Sequence, residues 1–135
     1  MSKIIITLAL AIAISLTIPS FVIAEPHIKP FTPPDHLTVE QRITKYASFY
    51  ATEAIPLVLV AKCESGFNQK ALGLADEIGI FQYKQATWDR FSKLFGEDLN
   101  INSADDQAKL TAFIFTNYPA YKSHWSCSRI TGIIK

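Results

Sequence analysis

The first stretch of this chain limits the fold most, because it leaves a much shorter sequence to build a domain. Residues 4 to 18 are almost all aliphatic, Lys3 places a positive charge before them, and Pro19 ends the run. Val22 and Ala24 then occupy the two positions that determine cleavage of an export signal. We predict that the first 24 residues form a signal peptide, cleaved after Ala24. An uncleaved membrane anchor is the alternative, because the apolar run is only a little short of the roughly twenty residues that a spanning helix needs.

The remaining 111 residues are enough for one small domain. Without Lys3 they carry twelve basic and twelve acidic side chains, and no run of Lys or Arg concentrates positive charge. A surface this close to neutral cannot hold a polyphosphate backbone strongly. We therefore expect no nucleic-acid partner. We also expect a monomer, with no stable membrane span after signal cleavage. We expect it in the periplasm, or in the cell wall or extracellular space.

The two cysteines indicate a covalent cross-link. Cys63 and Cys127 are the only cysteines, and in an oxidising compartment such a distant pair is most simply one disulfide. Two unpaired buried thiols are the alternative. No metal site is expected, because His27, His36 and His124 are scattered and the cysteines lack the CxxC spacing that zinc usually requires. No cofactor is expected either.

The spacing of apolar residues predicts a mainly α domain over residues 38–135. Before it, residues 25–37 contain four prolines that prevent a continuous helix, so we predict an extended lead-in. Four helices follow from apolar periodicity and from capping residues. Their predicted bounds are 39 to 54, 56 to 65, 85 to 95, and from Ser103 until Pro119 ends the run.

Irregular backbone separates the second and third predicted helices. Three glycines lie between residues 66 and 79, and residues 78–83 are too short for more than a strand fragment. We expect a small β-turn region there. The C-terminal segment from Tyr121 is expected to pack back onto the domain through the disulfide at Cys127.

One carboxyl group stands where the second helix meets this irregular backbone. Glu64 lies in the run Cys63-Glu64-Ser65-Gly66-Phe67-Asn68, directly after an apolar helical stretch. A carboxyl group that is partly withdrawn from water can stay protonated and donate its proton to a leaving oxygen. Cleavage of a glycosidic bond requires such an acid. The alternative is an ordinary solvated glutamate near a helix end.

Three segments in order carry a more specific signal. Glu64-Ser65-Gly66-Phe67-Asn68 ends the apolar helix, Gly79-Ile80-Phe81-Gln82-Tyr83 follows, and Ala86-Thr87-Trp88 begins the next helix. Together they resemble the lytic transglycosylase (SLT) and lysozyme-like superfamily over residues 57–88. The run from Cys63 to Gly66, with a second cysteine near the end of the chain, is also similar to resuscitation-promoting factors.

The resemblance implies a mainly α, lysozyme-like fold with a small β-turn region beside an active-site groove. It also implies peptidoglycan glycan strands as the substrate. Glu64 would be the general acid that protonates the glycosidic oxygen between N-acetylmuramic acid and N-acetylglucosamine, and would then act as the base. Ser65 would hydrogen-bond near the acid or the sugar, Gln82 would reach polar groups of the sugar, and Tyr83 would stack on a ring. Local capping is the alternative for Ser65, and turn or core packing for Gln82 and Tyr83.

A tyrosine late in the domain is the weakest part of the resemblance. Many transglycosylases carry an Ala-x-x-Tyr-Asn-Ala-Gly motif whose tyrosine contacts the acid. Here the comparable run, Tyr118-Pro119-Ala120-Tyr121-Lys122-Ser123-His124, lacks the Asn-Ala-Gly part. Tyr118 and Tyr121 are the candidates to replace that tyrosine, and we include Tyr121 among the predicted substrate-binding residues. Trp88 and Trp125 fall on apolar stripes, which favours core packing over sugar contact.

The reaction product depends on what attacks the anomeric carbon. Asp76 and Glu77 are the acidic residues in the loop after Glu64, and either would suit a lysozyme-type hydrolase, which uses a second carboxylate. Internal attack by the 6-hydroxyl of muramic acid needs only one enzyme carboxylate and gives a 1,6-anhydro sugar. The sequence favours this transglycosylase reaction. It is also compatible with a glycan-binding module without turnover and with a structural envelope protein.

Overall fold

The computed structural model describes residues 36–134. The predicted signal peptide, and nearly all of the proline-rich lead-in, lie outside the described residues. Within the described residues, no helix is long and apolar enough to cross a membrane.

The described chain is mainly α, as the sequence predicts. Over residues 36–134 it contains five α-helices, one 3-10 helix and no strand. The helices are α1 (Val39–Phe49), α2 (Ala54–Ser65), α3 (Gln85–Phe95), α4 (Ala104–Asn117), the 3-10 helix (Pro119–His124) and α5 (Ser126–Ile130).

Helix ends follow the local signals of the sequence in most places. The Thr38 hydroxyl accepts a hydrogen bond from the backbone N–H of Gln41, and the Gln41 side chain accepts one from the backbone N–H of Thr38, which completes a capping box at α1. The Ser103 hydroxyl caps α4 by accepting a hydrogen bond from the backbone N–H of Asp106. Gly66 and Gly96 end α2 and α3 with left-handed backbone. These four signals are confirmed.

The first helix is shorter than its apolar spacing predicts. It ends at Phe49 instead of continuing to Ala54, because the chain turns at Ala51, whose φ is +53°. Ala54 instead begins α2, so Pro56 is the third residue of that helix and not the first. Pro56 is still tolerated there, because the N–H groups of the first helical turn have no partner within the helix.

Helix α4 forms the centre of the core. Nine of its fourteen residues are buried, and it packs against α1, α3 and the 3-10 helix. Helix α2 packs against α1 and α5. Trp88 and Trp125 are 3% and 5% exposed, so both belong to the core. This arrangement leaves the C-terminal end of α2 next to the C-terminal segment.

The C-terminal segment is covalently attached to α2. Cys63 and Cys127 form a disulfide, with their Cα atoms 5.8 Å apart, which confirms the predicted pairing. Between α2 and α3, two isolated β-bridges pair Ile78 with Leu72 and with Tyr83. The backbone around these bridges forms the connection that we call the α2–α3 turn, residues 66–84.

Candidate active-site groove

The end of α2, the α2–α3 turn and the C-terminal segment enclose a groove of about 560 Å³. Of the predicted site residues, Glu64, Gln82, Tyr83 and Tyr121 line it. The rest of its wall comes mainly from the turn and from the C-terminal segment, through Gly73, Leu74, Glu77, Lys84, Thr87, His124, Trp125 and Ser126. The volume is in the range of small-molecule binding sites.

Glu64 lies in the last turn of α2 with its side chain half-buried. Its Oε1 atom accepts a hydrogen bond from the backbone N–H of Cys127 at 3.1 Å and a longer one from the Ser126 hydroxyl at 3.3 Å. Ser126 lines the groove beside it. The carboxyl group is therefore held from the side of the C-terminal segment while it faces a ligand-sized space.

The disulfide explains why these two segments meet. Cys63 directly precedes Glu64, and its partner Cys127 directly follows Ser126. The bond therefore brings the acid and its two donors to within a few ångströms of each other. The sequence contains this information, although the pairing alone does not show where the side chains point.

Ser65 secures the backbone and does not line the groove. Its hydroxyl is 2.9 Å from the carbonyl oxygen of Ile80 and 3.3 Å from that of Ala61. It therefore joins the end of α2 to the α2–α3 turn. This contact favours the alternative role of Ser65, local capping. The hydroxyl also links two segments of the chain.

Gln107 of α4 holds the α2–α3 turn in place. It is 1% exposed, and its amide is fully used: Oε1 accepts from the N–H of Phe81 at 3.0 Å, and Nε2 donates to the carbonyl oxygens of Ile78 and Ile101. Gly79 permits this approach, because a Cβ there would overlap Nε2 of Gln107. The sequence feature that could have indicated this support is Gln107 itself, a single glutamine on a buried face of α4.

Gln82 lies in the groove wall with left-handed backbone, at φ +50°. Its side-chain Nε2 donates to the carbonyl oxygen of Gly79 at 2.8 Å, so the amide nitrogen stabilises the turn. The side chain is half-buried. Gln82 thus combines the turn role with a position beside the ligand space.

Tyr83 is placed in the core more than in the groove. It is 2% exposed, and its ring packs edge-on against Trp88 and Trp125. Its hydroxyl lies 2.7 Å from that of Thr111, whose own proton goes to the carbonyl oxygen of Gln107, so Tyr83 is the donor. Burial raises the pKa of Tyr83. This placement favours the core alternative over stacking on a sugar ring.

Of the two candidate tyrosines, Tyr121 is the one that lines the groove. The imidazole of His124 stacks on its ring, with centroids 3.5 Å apart and planes 11° apart, and Phe91 meets its edge. Tyr118 instead packs edge-on against Phe91 and Phe113. His124 itself is exposed in the groove, so a ligand there would meet an imidazole beside the tyrosine.

Glu77 is the second carboxylate of the groove. Its Oε2 accepts a hydrogen bond from the N–H of Ala75 at 3.0 Å, and its Oε1 is 3.7 Å from the ammonium group of Lys84. The hydrogen bond from Ala75, together with Lys84, holds the pKa of Glu77 below its ordinary value. Asp76 is exposed and is not part of the groove wall among the described residues.

The groove also contains residues that the sequence did not single out, notably Ser126, His124 and Leu74. Across residues 36–134, no group of three His, Cys, Asp or Glu residues is arranged to hold a metal ion. Comparisons of the chain with protein-family models, with curated proteins and with solved structures gave no match.

Proposed function

We propose that the chain is an exported enzyme that cleaves the glycan strands of peptidoglycan, with a lysozyme-like fold and Glu64 as its general acid and base. In this proposal the α2–α3 turn is the small β-turn region beside the substrate groove. One observation carries the proposal: Glu64 is half-buried in the wall of a groove of about 560 Å³, with one carboxyl oxygen engaged by two donors.

One carboxyl oxygen of Glu64 is held by hydrogen bonds while the side chain lies in the groove wall. The backbone N–H of Cys127 and the Ser126 hydroxyl both donate to its Oε1 atom. A carboxyl group held in this way keeps its place in the groove while it gives up a proton and takes one back.

The proposed reaction is that of a lytic transglycosylase. Glu64 donates its proton to the oxygen that links N-acetylmuramic acid to N-acetylglucosamine, and the bond from that oxygen to the anomeric carbon breaks. The 6-hydroxyl of the muramic acid then attacks the anomeric carbon and gives its proton to the Glu64 carboxylate. The products are a 1,6-anhydro end and a free N-acetylglucosamine hydroxyl, and the acid is restored without water.

A lysozyme-type hydrolase of the same bond is the second candidate, and Glu77 favours it. Glu77 lines the groove that contains Glu64, and the contacts that lower its pKa favour its ionised form. An ionised carboxylate across the sugar from an acid can act as a nucleophile or can activate water. In that case water enters the product and no anhydro ring forms.

Mass spectrometry of the fragments separates the two reactions. The exported protein is incubated with purified peptidoglycan, and the soluble fragments are analysed. We expect muramic acid ends that are lighter by one water than the reducing ends that hydrolysis gives, because the anhydro ring forms without water. Reducing ends instead would support the hydrolase. Binding to the insoluble wall without any released fragment would overturn both reactions and would support the non-catalytic binding module.

A further inference from the structure

Both hydrogen bonds to Glu64 end on the same oxygen atom. The Cys127 N–H and the Ser126 hydroxyl donate to Oε1, at 3.1 and 3.3 Å. An oxygen that accepts two donors is a poor place for a proton, because the proton would point at one of them. In the protonated acid the proton is therefore favoured on Oε2.

The segment that supplies these donors is firmly attached. The disulfide joins Cys127 to α2, and the indole N–H of Trp125 donates to the carbonyl oxygen of Phe81 at 2.8 Å. The backbone N–H of Ser128 donates to the carbonyl oxygen of Trp125 at 3.0 Å. Ser126 lies between these attachments, so its backbone cannot move far from Glu64.

We propose that Ser126 is a positioning residue for Glu64, acting together with the backbone N–H of Cys127. By holding Oε1, the pair keeps the proton on Oε2 and fixes the direction in which that proton leaves. Ser126 does not itself exchange a proton with the sugar. This inference rests on the proposed function, since it assigns a way of controlling the acid of that reaction.

The test compares three variants on soluble glycan strands prepared from peptidoglycan. Ser126→Ala removes the hydroxyl, Ser126→Thr keeps it, and Ser123→Ala removes a hydroxyl from the same segment that bonds only to the carbonyl oxygen of Ala120. Ser126 and Ser123 are both exposed, so neither alanine variant should change the melting temperature much. Each variant is assayed for kcat, KM and melting temperature.

We expect Ser126→Ala to lower kcat on the order of tenfold with KM nearly unchanged, the size expected for one hydrogen bond to an ionisable group. Ser126→Thr should recover most of this loss, and Ser123→Ala should match the wild type. A higher KM with unchanged kcat would mean that Ser126 binds the sugar, and would overturn the inference. Wild-type kcat in Ser126→Ala would also overturn it.

Failure of the proposed function gives a different pattern. If the wild type releases no sugar, the proposed function and the positioning role both fall. If the wild type and Glu64→Gln are equally active, the acid lies elsewhere and a role for Ser126 through Glu64 is excluded. If Glu64→Gln is inactive and Ser126→Ala is fully active, only the positioning role is lost.

Discussion

At the residue scale, the groove depends on a few side chains whose partners are far away in sequence. Gln107 joins α4 to the α2–α3 turn. In the core, the hydroxyl of Tyr83 is hydrogen-bonded to that of Thr111, 28 residues away. Tyr83 follows Gln82 in the sequence, but the spacing of apolar residues does not indicate that its hydroxyl will bond to Thr111. For this reason the sequence predicts irregular backbone there but leaves the role of Tyr83 open.

Gly79→Ala tests the link between the turn and Gln107. The methyl group of alanine would overlap the Gln107 amide there, and the alanine would have to adopt left-handed backbone at φ +76°. We expect a loss of more than about 2 kcal/mol in the free energy of unfolding, since overpacking adds to the backbone strain. Urea denaturation measures it.

Gly132→Ala is the matched control for that substitution. Its φ is +74°, but a Cβ there has no atom within 4 Å. It should therefore show the strain alone, about 1 kcal/mol. Equal losses in the two variants would contradict the role that we assign to the approach of Gln107.

At the element scale, local signals determine where most helices begin and end. Thr38, Ser103, Gly66 and Gly96 act through neighbouring backbone, so the sequence predicts them well. The end of α1 is different, because the apolar spacing continues past the turn at Ala51 and belongs in part to the next helix. Periodicity cannot separate two consecutive helices that share a core.

The link between α2 and α5 should carry a large share of the stability. Replacing both cysteines, Cys63→Ser with Cys127→Ser, opens a loop that spans 64 residues. In the chain-entropy model this costs about 4 kcal/mol of unfolding free energy. Chemical denaturation of the oxidised wild type and the double variant measures the difference. A loss below about 1 kcal/mol would show that packing alone holds α5 in place.

At the scale of the whole molecule, three tyrosines make the stability of the fold depend on pH. Burial raises the pKa of Tyr46, Tyr50 and Tyr83, that of Tyr50 to about 12. A raised pKa means that the folded state keeps the proton longer than the unfolded state. The stabilisation is therefore complete below about pH 10, the ordinary value for tyrosine, and is lost as the pH rises through the folded values.

We accordingly expect the melting temperature to fall steadily above pH 10. Tyr50→Phe removes one of the three tyrosines with a raised pKa, so its melting temperature should fall less steeply between pH 10 and 12 than that of the wild type. Calorimetry at a series of pH values measures both slopes. Identical slopes would show that ionisation of Tyr50 does not oppose folding.

The arrangement of the groove combines what the sequence indicates with what only the folded chain provides. Matched motifs predict Glu64 and Gln82, and Tyr121 is one of two candidate tyrosines where the late motif is incomplete. The fold brings all three residues to one groove. Ser126 could have been inferred from its position before Cys127, once the disulfide was assumed. The stacking of His124 on Tyr121 depends on the 3-10 helix between α4 and α5, which no sequence signal predicted.

The decisive comparison is the release of soluble fragments from purified peptidoglycan by the wild type and by Glu64→Gln. Glutamine keeps the size of the side chain and its acceptor oxygen but has no proton to give. We predict that the variant releases no fragments above background, while its melting temperature stays within about 2 °C of the wild type, as for a substitution costing under about 0.5 kcal/mol. Fragment release by the variant at the wild-type rate would contradict the assignment of Glu64 as the acid.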